Sequence, residues 1–268
     1  MVERIAIILG LFEVAFFIVA WKAAPNGAEM AAQIQHMPLT DPDYLYLLAA
    51  NLGTSIMPWT VFYQQSALID KGLGVNDMKH ARNDTLLGAI LCQVITVAVL
   101  VAAAATIGKH ESGIDLNSVP QIADAFAAVL GGSVGRAVFA VGLCGGALVA
   151  TVVVCLASAW AVGEVTGIHH SLEHHPTDAP WFYAAFGVIL AAGGLAVASG
   201  INPIRLSVGV GVVNALLLPI VLGFIYLLAR SELPEHLRLK GGYALAVGFI
   251  FVVVAGFGLY FGIVGTFG

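Results

Sequence analysis

Charge is what this sequence has least of. Only 10% of its 268 residues are Asp, Glu, Lys or Arg, while 59% are hydrophobic. A water-soluble domain carries about a quarter charged residues, so the chain lacks the polar surface of a soluble enzyme or a disordered segment. Basic residues are outnumbered, 11 Lys and Arg against 16 Asp and Glu, which argues against nucleic acid as a partner. Cysteine is sparse too. Cys92, Cys144 and Cys155 sit singly inside apolar runs without metal-ligand spacing, so neither a disulfide framework nor a cysteine metal site is expected. There is no activated Ser or Cys arrangement, no phosphate-binding glycine loop and no haem-type histidine pair within the runs; nothing points to an enzyme or a bound cofactor.

What is present in quantity is long hydrophobic runs, several near or past the roughly 20 residues that cross a bilayer as a helix. The expected fold is an all-α polytopic membrane protein of about seven transmembrane helices, in a single domain. The spans read Ile5–Trp21, Tyr44–Ile69, Thr85–Ile107, Ala137–Ala161, Trp181–Ser199, Ile204–Ala229 and Tyr243–Thr266. The 31 glycines, scattered through these runs, suit close helix packing in lipid. Thr40-Asp41-Pro42-Asp43 opens the second span with a helix-start signal, and residues 119–130 form an amphipathic stretch too short to cross. The first run resembles a signal peptide at Ala23-Ala24, but Glu13 in its middle and a lone Arg4 offset by Glu3 favour a membrane anchor. Seven basic residues (Arg4, Lys71, Lys79, Arg82, Arg230, Arg238, Lys240) fall on one side and four (Lys22, Lys109, Arg136, Arg205) on the other. That bias places the N-terminus in the cytoplasm and the C-terminus outside.

The second span is unusual. It reads Asn51-Leu52-Gly53-Thr54-Ser55-Ile56-Met57-Pro58-Trp59-Thr60 and continues to Gln64-Gln65. Pro58 removes one helical hydrogen bond and crowds the carbonyl of Thr54, and Gly53 adds backbone freedom. An unwound segment over residues 53–57 is therefore expected. Carbonyls freed there cannot face lipid and must line a cavity or a ligand site. Met57 contributes a soft thioether suited to transition metals.

Gly53-Thr54-Ser55-Ile56-Met57-Pro58-Trp59, with Phe62-Tyr63-Gln64-Gln65-Ser66-Ala67-Leu68-Ile69 after it, resembles the sixth transmembrane helix of the Nramp family of divalent metal transporters. That family typically reads Gly-Ala-Thr-Val-Met-Pro-His there, followed by a Ser-Ala-Leu-Val run. The wording is nearer the divergent Nramp-related bacterial branch, which includes magnesium transporters. Weaker likeness runs over nearly the whole chain, with the first span similar to the family's fifth helix and the last to its eleventh. The resemblance implies the C-terminal part of a leucine-transporter-type fold of two inverted repeats, with a discontinuous second helix. It also implies an inner (plasma) membrane of bacterial type and transport of Mn²⁺, Fe²⁺ or Mg²⁺ by alternating access. By position, Met57 would be the thioether ligand and Thr54 would offer its backbone carbonyl, flanking a break marked by Gly53 and Pro58. The metal is then substrate, not cofactor.

The likeness has gaps. The family's first-helix Asp-Pro-Gly-Asn motif is missing, and the one Asp-Pro here, Asp41-Pro42, is followed by Asp43. The chain is thus expected to be a partial or truncated form, or one part of a split protein whose N-terminal half carries the first four helices. Trp59 stands where the family's proton-pathway His is usual, span five lacks the expected arginines, and span six offers Asn214 but no Gln. Asn51, Trp59, Gln64, Gln65, Glu13 and Asn214 are candidate pathway or gating residues. Gln93 reads as an interhelical hydrogen-bonding amide, and Glu164 and Asp84 as solvated span ends. Four histidines, His169, His170, His174 and His175, share a loop with Glu173, a solvated segment or a metal-collecting one. Two other classes stay open: a leucine-transporter-type carrier of a small organic solute, and a non-transporting scaffold or remnant. For the orientation, a cysteine introduced at Val75 of a cysteine-free variant should resist a membrane-impermeant thiol reagent in intact cells, while one at Asn202 should react. The reverse pattern would invert the topology.

Overall fold

The structure is a computed structural model that describes residues 12–23, 26–28, 32, 36–107, 118–168, 171–172 and 175–267. Among the described residues the chain is all-helical, without strands. A 3₁₀ turn, Phe12–Val14, leads into α1, Ala15–Ala23. Then come α2, Pro42–Ser55, and α3, Pro58–Asp70. Next are a 3₁₀ turn at Val75–Asp77, α4, Met78–Ile107, α5, Val119–Leu130, and α6, Gly132–Thr166. The chain ends with α7, Pro180–Ala198, α8, Pro203–Ser231, and α9, Gly241–Phe267. Residues 1–11, which hold the first half of the expected span Ile5–Trp21, lie outside the described residues.

Local chemistry sets these boundaries. Pro42, Pro58, Pro180 and Pro203 each occupy a first helical position, where the missing N–H costs nothing and φ is already helical. Asp41 caps α2, its Oδ1 accepting from the Asp43 backbone N–H at 3.0 Å. Gly131 (φ 92°) separates α5 from α6, and Gly167 (φ 72°) ends α6, both in backbone conformations that a Cβ would strain. α4 and α6 outrun the apolar runs that announced them. α4 starts at Met78 instead of Thr85, and α6 covers Gly132–Thr166 instead of Ala137–Ala161. Hydropathy stops where the chain meets water, whereas i→i−4 hydrogen bonding continues through Lys79–Asp84 into solvent.

Among the described residues, six stretches are long and apolar enough to cross a membrane, α2 with α3 counting as one. Their outward faces are apolar: Leu86, Leu87, Ile90, Leu91, Val94 and Val97 are all exposed along α4. So continuous an apolar surface is foreign to a soluble monomer and is what a helix facing acyl chains presents. The protein is a polytopic membrane protein.

The chain groups into two compact units. The first, residues 1–35 and 63–202, packs α1 on α4, α5 on α6 and α6 on α7. Phe16 and Val19 of α1 meet Ala102 of α4 and Phe139 of α6, with the two phenyl rings edge to face. Trp160 of α6 lies between Tyr63 of α3 and Phe182 of α7.

The second unit, residues 36–62 and 203–268, is a three-helix packing of α2, α8 and α9 built on small residues. Gly53 of α2 lies against α8: an added Cβ would collide with the Gly211 carbonyl oxygen and come within 2.6 Å of the Ala215 nitrogen. A Cβ on Gly211 would stand 2.7 Å from the Ala50 carbonyl oxygen. Pro219, inside α8, cannot donate to the carbonyl of Ala215. That oxygen faces Gly258 of α9, where a Cβ would sit 2.8 Å away. Glycine on each helix therefore lets main chain meet main chain, the close approach that drives association in lipid. Gly53→Val should lower the thermal midpoint in detergent, overpacking of this kind costing about 1–3 kcal/mol. Gly88→Val, at a glycine with nothing within 4 Å, should leave the midpoint unchanged; equal effects would discount the packing.

Candidate functional site

The interruption lies between α2 and α3 and is narrower than the sequence implies. α2 stays helical through Gly53, Thr54 and Ser55, and the Ile56 N–H still donates to Leu52 O at 3.1 Å. Ile56 then turns out of the helix (φ −126°, ψ 78°), and α3 starts at Pro58. The break is Ile56–Met57, not residues 53–57. Gly53, read from sequence as part of it, is a buried contact glycine inside the helix: the pressure for glycine there comes from α8, not from backbone freedom. Pro58 acts as expected, since the nitrogen that would serve the Thr54 carbonyl carries no hydrogen.

Around the break, some groups are engaged and some are not. Thr54 Oγ1 and Ser55 Oγ both donate back to the Asn51 carbonyl, at 3.0 and 2.8 Å. The Met57 carbonyl accepts from Thr60 N–H at 3.0 Å and from Thr60 Oγ1 at 2.6 Å. Among the described residues no donor reaches the carbonyls of Gly53, Thr54 or Ser55. Three main-chain oxygens at the C-terminal, electronegative end of α2 thus open towards the gap that Met57 occupies. Met57 and Trp59 are half-buried, Pro58 is buried, and Asn51, Thr54 and Ser55 are exposed.

The remaining sequence candidates fall in two places. Within the second unit, Asn214 is buried on α8, 9% exposed, and has no hydrogen-bond partner among the described residues. It sits in the turn between Gly211 and Ala215, where Thr54 also arrives, its Cγ2 3.1 Å from a Cβ placed on Gly211. Within the first unit, Gln64 Nε2 donates to Thr85 Oγ1 at 2.8 Å, and Gln65 is exposed. Glu13 is half-buried with its carboxylate over Gly146 of α6, where a Cβ would stand 2.7 Å from Oε1. His169, His170, Glu173 and His174 lie outside the described residues; His175, exposed, pairs its Nδ1 with Thr177 Oγ1 at 3.0 Å. Among the described residues no three His, Cys, Asp or Glu side chains group as a metal site.

One polar contact escaped sequence reading. Glu164, taken as a solvated span end, accepts a hydrogen bond at 2.8 Å from the buried hydroxyl of Ser66. It lies within α6, one turn from Trp160, as Ser66 lies one turn from Tyr63. The partners are 98 residues apart, and Glu164 is exposed two residues before the end of α6, as a solvated span end should be, so no local signal joined the pair.

Interrupted helix, apolar exterior and small-residue packing together define a polytopic membrane protein with a discontinuous helix. The family profile described as Natural resistance-associated macrophage protein-like, Nramp, matches residues 1–264. The chain belongs to the Nramp family. It is also 29% identical over 161 residues to a protein of Bradyrhizobium diazoefficiens named "Divalent metal cation transporter MntH". That alignment covers 56% of this chain and 35% of the relative, so the chain matches about a third of the transporter's length.

The Ser66–Glu164 contact can be tested within the first unit. A double-mutant cycle of Ser66→Ala with Glu164→Ala should give a coupling of about 0.5–1.5 kcal/mol in unfolding free energy. Strictly additive losses would show that the hydrogen bond contributes nothing.

Proposed function

We propose that this chain supplies the cation-coordinating break of a divalent metal cation transporter working by alternating access. Family membership supports the class, and the relative's name supports the substrate. The observation that carries the reading is the Ile56–Met57 interruption: carbonyl oxygens of Gly53, Thr54 and Ser55 left without donors, beside a half-buried thioether. An oxygen at a helix C-terminus favours any cation. Sulfur separates cations by softness, favouring Mn²⁺, Fe²⁺ and Cd²⁺ over Mg²⁺ and Ca²⁺. Met57 and the Thr54 carbonyl are the ligands in this reading. Asn214, 9% exposed on the α8 turn that Thr54 approaches, is the next polar group along the path.

The remaining ligands come from an Asp-Pro-Gly-Asn segment, which this sequence does not contain, carried by a separate N-terminal half or a longer form of the protein. With Trp59 in place of histidine, no titrating group occupies that position, so coupling to protons has to use another route, of which half-buried Glu13 is the candidate. The protein sits in an inner (plasma) membrane with its N-terminus in the cytoplasm.

Met57→Ala in the complete transporter should cut Mn²⁺ and Cd²⁺ uptake by about tenfold or more and leave Mg²⁺ and Ca²⁺ uptake within about twofold. Equal losses for all four ions would remove the thioether from the site. Uptake of an organic solute, with none of any divalent ion, would replace the whole reading with that of a solute carrier.

A further inference from the structure

Within the second unit α8 and α9 do not close on each other along their whole length. Between them runs an apolar groove of about 600 Å³. Two of its glycines, Gly223 on α8 and Gly256 on α9, would meet nothing within 4 Å if given a Cβ. These glycines differ from Gly53 and Gly258, which are small because backbone presses on them. Along α9 the lining extends from Leu245 to Leu259, about 21 Å at the helical rise of 1.5 Å per residue. One leaflet of a bilayer core is about 15 Å deep. The groove's lining on α9 therefore spans the depth of one leaflet with several ångströms to spare, between two helices long and apolar enough to cross the membrane.

One end of the groove is different. Tyr226 forms a wall there, its hydroxyl donating to the Ala244 carbonyl at 3.2 Å and its ring lying 3.0–3.2 Å from a Cβ placed on Gly248. One turn further, the Arg230 guanidinium stands 5.7 Å from the Tyr226 ring centroid. This end borders the segment between Ser231 and Gly241, which contains the other cations. Lys240 is paired with Glu235 at 3.1 Å, and Arg238 Nε donates to the Leu233 carbonyl at 2.7 Å. Arg230 is exposed and has no carboxylate partner among the described residues. Stacking on a phenol fixes a guanidinium while leaving its edge N–H groups free for an oxyanion. The end of the trough nearest the Ser231–Gly241 segment therefore holds a cation without a carboxylate partner among the described residues.

We propose that the α8–α9 groove binds one anionic phospholipid, an acyl chain lying over Gly223 and Gly256 and the phosphate on Arg230. The guanidinium at its water-side end, without a carboxylate partner among the described residues, favours an anionic headgroup over an apolar helix as the occupant. The site rests on the membrane fold alone, so it stands or falls apart from the transport reading.

Native mass spectrometry of the purified chain, titrated with phosphatidylglycerol and separately with phosphatidylcholine, tests it. One phosphatidylglycerol should bind about tenfold more tightly than phosphatidylcholine. Arg230→Gln, an exposed substitution, should abolish that preference, weakening phosphatidylglycerol far more than phosphatidylcholine, whose choline cation already offsets its phosphate. Gly256→Leu should remove the tight site for both lipids; Gly223→Leu fills the same trough from the other helix should Gly256→Leu fail to fold. Equal binding of the two lipids by the wild type, an unchanged preference in Arg230→Gln, or lipid retention in a folded groove-filling variant would each overturn the proposal. So would a dimer that Gly256→Leu converts to monomer without lipid loss, since a second copy would then be the occupant.

Discussion

In hydrocarbon a main-chain carbonyl without a donor has no water to turn to, and the free energy of leaving it bare is several kcal/mol. The structure can be read as a response to that constraint. Nearly all of the chain meets it by remaining helical, and the helices run on into water before they end, as α4 and α6 do. At Pro58 the constraint cannot be met within the helix, because the nitrogen that should serve Thr54 has no hydrogen. The chain responds by ending α2 at Ser55 and restarting at Pro58. The Thr60 amide and hydroxyl take the Met57 carbonyl, which leaves the oxygens of α2's last turn open. They are tolerable in a membrane only if something other than lipid meets them.

Pro219 poses the same problem on α8 and is answered differently. The carbonyl it frees, on Ala215, is pressed against Gly258 of α9, within reach of the weak Cα–H contacts common at helix interfaces. On the other side the Ala215 nitrogen approaches Gly53. So one proline is absorbed into packing, while the other leaves its oxygens available. The difference lies in neighbours: glycine on an adjoining helix can bring backbone to a freed carbonyl, and no described residue does so at Thr54. Proline in a membrane helix is therefore an incomplete signal. What decides its meaning is whether a small residue opposes it.

That distinction also marks how far the sequence could be read. Hydropathy runs and proline positions made the helices legible, because both reflect local physics: apolar length and the lost N–H. The break was legible for the same reason, with its location shifted by a few residues. Gly53 was misassigned because a glycine near a proline looks like freedom, whereas its Cβ is excluded by a helix some 160 residues away. The Ser66–Glu164 hydrogen bond was hidden for the same cause: a buried hydroxyl and a carboxylate near a helix end carry no periodic signature. The contact glycines Gly53 and Gly258 cannot be told by sequence from the open ones, Gly223 and Gly256. Pairing across helices is tertiary information, and composition does not encode it.

The polar groups of the first unit are largely satisfied by one another. Gln64 has Thr85, Ser66 has Glu164, and Arg136 has Asp124. The exception is Trp160, whose buried indole N–H has no acceptor among the described residues. It lies among the rings of Tyr63 and Phe182, where aromatic burial offsets a loss of about 1–3 kcal/mol. In the second unit the unsatisfied groups are of another kind. They are acceptors, the main-chain carbonyls of residues 53–55, which no donor among the described residues reaches. An orphan N–H among rings has its cost met by packing and needs no ligand. Orphan oxygens at the negative end of a helix stay open to a hydrogen-bond donor or a cation. The asymmetry between the two units is thus one of kind: the first buries an unpaired donor among rings, and the second leaves acceptors open at a helix break.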